Sequence, residues 1–205
     1  MRLIKLLSLA ALAIAVAAAI GASSASAERP TQLCKVHPEK SGLVCPKGEA
    51  VTEDHQTLAL GTVWKLLAGA FTILCLNALK FATPLELAGA QLVHTLKLTL
   101  TGCGTGPDHD NCTVAVDELP LLTLLKTGLD EGVLTAVDGS FTVVCKKLGV
   151  NCLYDLEGAE FSMGGQQIVA AEAPVKPLGG IFLCPGTEAT LDFVLVPYTN
   201  HYILE

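Results

Sequence analysis

The chain is poor in the residues that usually carry chemistry. Its aromatics amount to one tryptophan, three tyrosines and six phenylalanines, a thin supply of stacking surfaces for a carbohydrate substrate. Beyond residue 27 the only serines are Ser41, Ser140 and Ser162, and none lies in a G-x-S-x-G setting. No H-E-x-x-H, C-x-x-C or H-x(3–5)-H occurs, so the common zinc sites have no ligand set. Positive charge is also scarce, with 13 Lys and Arg against 20 Asp and Glu, and the longest basic feature is the pair Lys146-Lys147. Nucleic acid is therefore not an expected partner, because a polyanion calls for a cationic surface. The apolar stretch 58–76 contains Lys65, which costs roughly 2.5–3.5 kcal/mol at the centre of a membrane helix. No stable membrane span is expected after the N-terminal segment.

That N-terminal segment has the layout of a secretory signal. Arg2 and Lys5 open it, an apolar run from Leu6 to Ile20 follows, and small residues close it at Ala25-Ser26-Ala27. The run is shorter than the roughly 20 residues a spanning helix needs. Residues 1–27 are read as a signal peptide cut after Ala27, with an uncleaved N-terminal anchor as the alternative. A lipid anchor is disfavoured because Cys34 lies well past the predicted cut. The remaining 178 residues of the 205 would carry a net charge of −9, since Arg2 and Lys5 leave with the peptide. They are enough for one domain with a core of its own. Residues 28–50, rich in proline and glycine, read as a cysteine-containing N-terminal loop segment, and residues 51–205 as a single β domain.

All eight cysteines follow the predicted cut: Cys34, Cys45, Cys75, Cys103, Cys112, Cys145, Cys152 and Cys184. An even number behind a signal peptide reads as disulfides and as a secreted or cell-envelope location. Eight cysteines allow 105 connectivities. Proximity favours Cys34–Cys45, Cys103–Cys112 and Cys145–Cys152, which leaves Cys75–Cys184 by elimination. A bridge of that last length constrains the unfolded chain by about 4–5 kcal/mol in the chain-entropy treatment.

The hydrophobic pattern has period two. In QLVHTLKLTLT, residues 91–101, Leu92, His94, Leu96, Leu98 and Leu100 share one parity, with Val93 the exception. Cys112, Val114 and Val116 repeat the alternation, as do Ala189, Leu191, Phe193 and Leu195. Val133–Val137, Asp138-Gly139 and Ser140–Val144 read as a hairpin with a two-residue turn. LGTVWKLLAGAF, residues 60–71, interrupted by Gly61 and Gly69, and PLELAGAQL, residues 84–92, read as a short helix or turn, carry the only helix-like signals. The predicted fold is all-β, an antiparallel sandwich or barrel stapled by up to four disulfides, with little helix outside the signal peptide. The closing PYTNHYILE reads as a last strand paired within the sheet, with strand exchange between molecules as the alternative.

TGCGTGPDHDNCTV, residues 101–114, holds the densest set of polar residues. Asp108, Asp110 and Asn111 form a weak calcium candidate, since the glycine and distal acid of an EF-hand loop are missing. A turn built from Gly, Pro, Asp and Asn is the preferred reading. Asn111-Cys112-Thr113 fits the N-glycosylation pattern, beside a cysteine expected to be bridged. Asp155, Glu157 and Glu160 form an acidic cluster that reads as a solvated turn before it reads as a glycosidase pair. His94, on the apolar parity of its strand, reads as a core histidine. No catalytic residue and no cofactor are assigned.

The order of short motifs adds a resemblance. Cys45-Pro46-Lys47-Gly48, the spacing Cys103-x(8)-Cys112, Cys152-Leu153-Tyr154, Cys184-Pro185 and Tyr202-Ile203 recur in this sequence along one chain. In this it resembles a group of uncharacterised secreted cysteine-containing proteins of high-GC Gram-positive bacteria. That resemblance implies an exported, disulfide-stapled domain and no particular activity. The leading functional expectation is a non-enzymatic β domain that binds an extracellular or cell-envelope partner or plays a structural role there. The alternatives are a secreted hydrolase using Asp155 and Glu157, and a carrier with an apolar ligand inside a barrel.

Overall fold

The computed structural model describes residues 31–37, 44–87, 90–106, 110–164, 166–181, 184 and 188–204. The predicted signal peptide and cleavage site lie outside the described residues. Strand is the dominant structure, as the period-two pattern predicts, and the one helical element among the described residues is a 3-10 turn at Lys146–Leu148. No helix among the described residues is long and apolar enough to cross a membrane.

Eight antiparallel strands close into a barrel. In order around it they are β3 (Trp64–Ala68), β4 (Phe71–Leu87), β5 (Ala90–Gly104), β7 (Leu121–Gly128), β8 (Glu131–Ala136), β11 (Glu160–Gly164), β12 (Gln167–Ile181) and β13 (Ala189–Pro197). Closure comes from β13 pairing with both β12 and β3, with Leu191 opposite Ala173 on one side and Leu66 on the other. Closing the sheet leaves these strands without an open edge. Strand β2 (Asp54–Leu58) occupies the same gap as β3, bridging β4 and β13 further along, with Gln56 opposite both Lys80 and Pro197.

A second sheet branches from the far half of β12. It contains β10 (Val150–Asp155), β9 (Ser140–Cys145) and β6 (Thr113–Glu118), with β10 pairing to β12 from Asp155–Lys176 to Asn151–Ile181. The chain crosses between barrel and second sheet four times, at 105–112, 119–120, 137–139 and 156–159. At the barrel's opposite end, β1 (Gln32–Cys34) pairs with β14 (Tyr202–Leu204), and Leu33, Ile203 and Leu204 are buried. Gly132 on β8 makes room for this plug, since a Cβ there would sit 2.9 Å from the Leu125 carbonyl and 3.0 Å from Ile203 Cδ1. PYTNHYILE therefore does end in a strand, but that strand pairs with the N-terminal segment in a sheet of its own.

Several local expectations differ from the structure. Asp138-Gly139 is a corner and makes no hairpin: β8 pairs with β7 and β11, while β9 pairs with β6 and β10. Asp138 Oδ1 accepts the Leu121 N–H at 2.6 Å, and Gly139 at φ 113° packs where a Cβ would meet Pro120 at 2.9 Å. The two helix-like stretches are strands of the β3–β4 and β4–β5 hairpins.

The bridges are Cys34–Cys45, Cys75–Cys103, Cys112–Cys145 and Cys152–Cys184. Proximity in sequence also gives the first, but the expected Cys103–Cys112, Cys145–Cys152 and Cys75–Cys184 do not form. Strand register decides the pairing. Cys75 lies directly opposite Cys103 in the β4–β5 ladder, and Cys112 extends the ladder in which Thr113 faces Val144, which sets it across from Cys145. Cys145 is likewise the ladder partner of Val150, two residues before Cys152, so those two cysteines never face each other.

Candidate functional site

The strongest site is inside the barrel. A cavity of about 70 Å³ lies within the barrel, at the end that the second sheet covers. Trp64, Leu100, Leu191 and Phe193 line it from the barrel strands, and Val116 and Phe141 come from the second sheet. Phe141 holds this end shut through an edge contact with Trp64 at 5.6 Å and a stack on Tyr154 at 5.2 Å. Burial also pushes the Tyr154 phenol above its ordinary pKa.

Two polar side chains interrupt the apolar wall, Lys80 on β4 and Thr95 on β5. They share an inner face because β5 carries a bulge. The β4–β5 register runs Lys80–Leu98 and Phe81–Lys97, then jumps to Ala82–Thr95. The extra residue on β5 is Leu96, which is exposed. A bulge of this kind reverses the alternation. Leu98 and Leu100 point inward beyond it, and Thr95, Val93 and Gln91 are buried before it. Half of the face expected from QLVHTLKLTLT is thus inverted, and His94, expected in the core, is exposed.

Lys80 is only 5% exposed. Loss of hydration pushes its ammonium below the ordinary lysine pKa, and the carboxylate of Asp54 works against that shift. Asp54 on β2 is itself buried and lies on the same face as Lys80, since Asp54 pairs with Ala82 and Gln56 with Lys80. Its Oδ2 accepts a hydrogen bond from Gln56 Nε2 at 2.7 Å, and its Oδ1 lies 3.8 Å from His201 Nδ1. Five buried polar atoms have no hydrogen-bond partner among the described residues: Asp54 Oδ1, Gln56 Oε1, Gln91 Oε1, Thr95 Oγ1 and His201 Nε2. Folded proteins leave few such atoms, and Thr95 Oγ1 belongs to a residue of the cavity wall.

The other candidates do not assemble into a site. Asp108 lies outside the described residues, and Asp110 is exposed. Asn111 acts as a turn former, with Oδ1 accepting the Thr105 N–H at 3.0 Å and Nδ2 donating to Thr105 Oγ1 at 3.3 Å. The loop is pinned through Cys103 to β4 and through Cys112 to β9, while the Cys112 N–H donates to the Cys103 carbonyl at 3.1 Å. No group of three or more His, Cys, Asp or Glu suited to a metal exists among the described residues. Asp155 accepts the Glu157 N–H in an exposed turn, and Glu157 and Glu160 are both exposed. Lys65, the charge in the 58–76 stretch, sits on β3 3.3 Å from Asp192.

Sequence reasoning missed Lys80 and Thr95. Lys80 carried a signal, being the only charged residue between Lys65 and Glu86. Val93, the exception to the alternation, was the trace of the bulge that buries Thr95. Asp54 and His201 stand too far apart in sequence for any local pattern to join them. No protein-family model matches the chain, and no curated protein or solved structure matches it either.

Proposed function

We propose that the chain is an exported, non-enzymatic carrier that holds an apolar ligand inside its disulfide-braced barrel. The observation that carries this reading is the cavity, walled by strands from all around the barrel and covered by Phe141 and Val116 of the second sheet. An apolar cavity stays dry and takes up small apolar molecules. The four disulfides fit an oxidising compartment, in keeping with the signal-like N-terminus and with the secreted proteins the motif order resembles.

A hydrolase is the weaker reading. It needs two carboxylates facing each other across a cleft, whereas Asp155 Oδ1 accepts the Glu157 N–H in a turn and Glu157 is exposed. The test is mass spectrometry of an organic extract of the secreted protein, purified without detergent. A small apolar molecule in near-stoichiometric amount supports the carrier. Protein that yields none, and that takes up no apolar ligand when offered one, overturns it.

A further inference from the structure

We propose that the protein self-associates, two copies meeting through the uncharged outer wall formed by β4, β5, β7 and β8, with a twofold axis along β7. The inference concerns the outside of the barrel and is independent of the carrier reading.

Three observations carry it. First, these strands are apolar on both faces. On β7, Leu122 and Leu124 are buried in the barrel, and Leu121, Thr123 and Leu125 alternate to the outside. Residues 81–85, 92–96, 121–125 and 133–137 contain no Asp, Glu, Lys or Arg. They lie side by side, since Leu85 pairs with Leu92, Leu92 with Thr123 and Thr123 with Thr135. A sheet with one face in water alternates apolar and polar residues, whereas continuous apolar runs belong to strands covered on both faces. Yet Leu85, Leu96, Leu125 and Val137 are 51%, 42%, 55% and 48% exposed. The rest of the barrel wall follows the usual pattern, with Lys65, Glu160 and Asp192 at outward positions. Second, charge selects the occupant. The chain has 20 acidic residues against 13 basic ones, so two copies repel each other except where they present a face without charge. Anionic lipid is the poorer match, because those four stretches hold no Trp or Tyr and an acidic chain offers no cluster of Lys or Arg to border them.

Third, the rim of the wall complements itself. On one side of β7, His94 pairs with Leu121; on the other, the Val137 N–H donates to the Leu121 carbonyl at 2.8 Å. Lys97 on β5 and Asp138 after β8 continue past this row toward the same end of the barrel. A twofold axis along β7 exchanges its two neighbours and sets Lys97 of each copy against Asp138 of the other, which is the self-complementarity a closed dimer needs. A barrel wall is convex, so the contact centres on β7 and the strands beside it. Three strands and five residues of each cover roughly 14 Å by 17 Å. That footprint belongs with the small specific interfaces, below about 1,200 Å² in total, so a reversible dimer is expected.

The test is sedimentation velocity of the oxidised protein between about 1 and 300 µM, a range that brackets the affinities of small interfaces. The wild type should pass from monomer to dimer within it. Thr123→Glu puts a carboxylate beside the axis, against its own copy, and should weaken the dimer at least about tenfold. Leu125→Glu, at a position already open to solvent in the single chain, should do the same without disturbing the fold. Lys97→Glu should weaken it about fivefold, and added salt should lessen that loss. Leu60→Glu, on a fully exposed leucine outside the wall, should leave the dimer unchanged. A wild type that stays monomeric throughout overturns the proposal, as does a dimer that survives both Thr123→Glu and Leu125→Glu. Monomeric protein that floats with phosphatidylglycerol vesicles makes the wall a membrane surface and overturns it too. The carrier reading stands or falls separately.

Discussion

Filling the cavity should stabilise the protein and abolish ligand binding together. Ala78 lines the cavity and is 2% exposed, so Ala78→Leu places extra carbons directly into the void. Cavities destabilise by roughly 24 cal/mol per Å³, so complete filling of about 70 Å³ gains at most about 1.7 kcal/mol. For a chain of this size that corresponds to a rise in Tm of roughly 3–7 °C. The control is Ala68→Leu, a buried alanine of β3 outside the cavity lining, where overpacking should cost about 1–3 kcal/mol. Thermal melts followed by circular dichroism, without reductant, give the stability change. Trp64 fluorescence titrated with a small apolar probe such as xenon gives the binding. If Ala78→Leu is destabilised as much as the control, the space is not there. If it is stabilised but binds the probe as the wild type does, the ligand lies elsewhere.

Two further outcomes follow from the bridges and the buried ionisable groups. Replacing Cys75 and Cys103 by alanine should lower stability by about 3–4 kcal/mol in the chain-entropy treatment, given their separation of 28 residues; urea unfolding measures it, and a non-reducing peptide map should recover the Cys75–Cys103 and Cys112–Cys145 peptides joined. The alkaline limb of stability has two opposed parts. The folded pKa of Lys80 lies below its ordinary 10.5, so the unfolded chain holds more protons in that window and stability rises with pH there. The folded pKa of Tyr154 lies above its ordinary 10.0, so its contribution is complete below that value and is lost as pH rises through the raised one. Lys80→Met should remove the rise and Tyr154→Phe the fall, read from unfolding curves between pH 8 and about 11.

Fold class was legible because side-chain alternation is a property of each strand by itself. Cys112, Val114 and Val116 show it, and the structure buries Cys112 and Val114 on one face. What was not legible depended on neighbours distant in sequence. Asp138-Gly139 has the composition of a hairpin turn, yet its conformation serves Leu121 and Pro120 of another segment. The cysteines pair across ladders, and ladder order in a closed barrel does not follow separation along the chain. On β5, leucines on both sides of the bulge share one parity, so a single extra residue inverts half the strand while the sequence still looks regular. The same inversion hides the site, because Thr95 reads as an outward residue until the bulge is known. Lys80 was the readable exception, a lone charge in an apolar stretch, which in a half-buried strand calls for either a solvent-facing position or a partner.

The claim that the barrel encloses a ligand is tested most directly by native mass spectrometry of the oxidised protein, purified without detergent. The account predicts one small molecule retained per chain in the wild type and none in Ala78→Leu. A chain that carries its own mass alone, and that takes up no small apolar molecule offered to it, contradicts it.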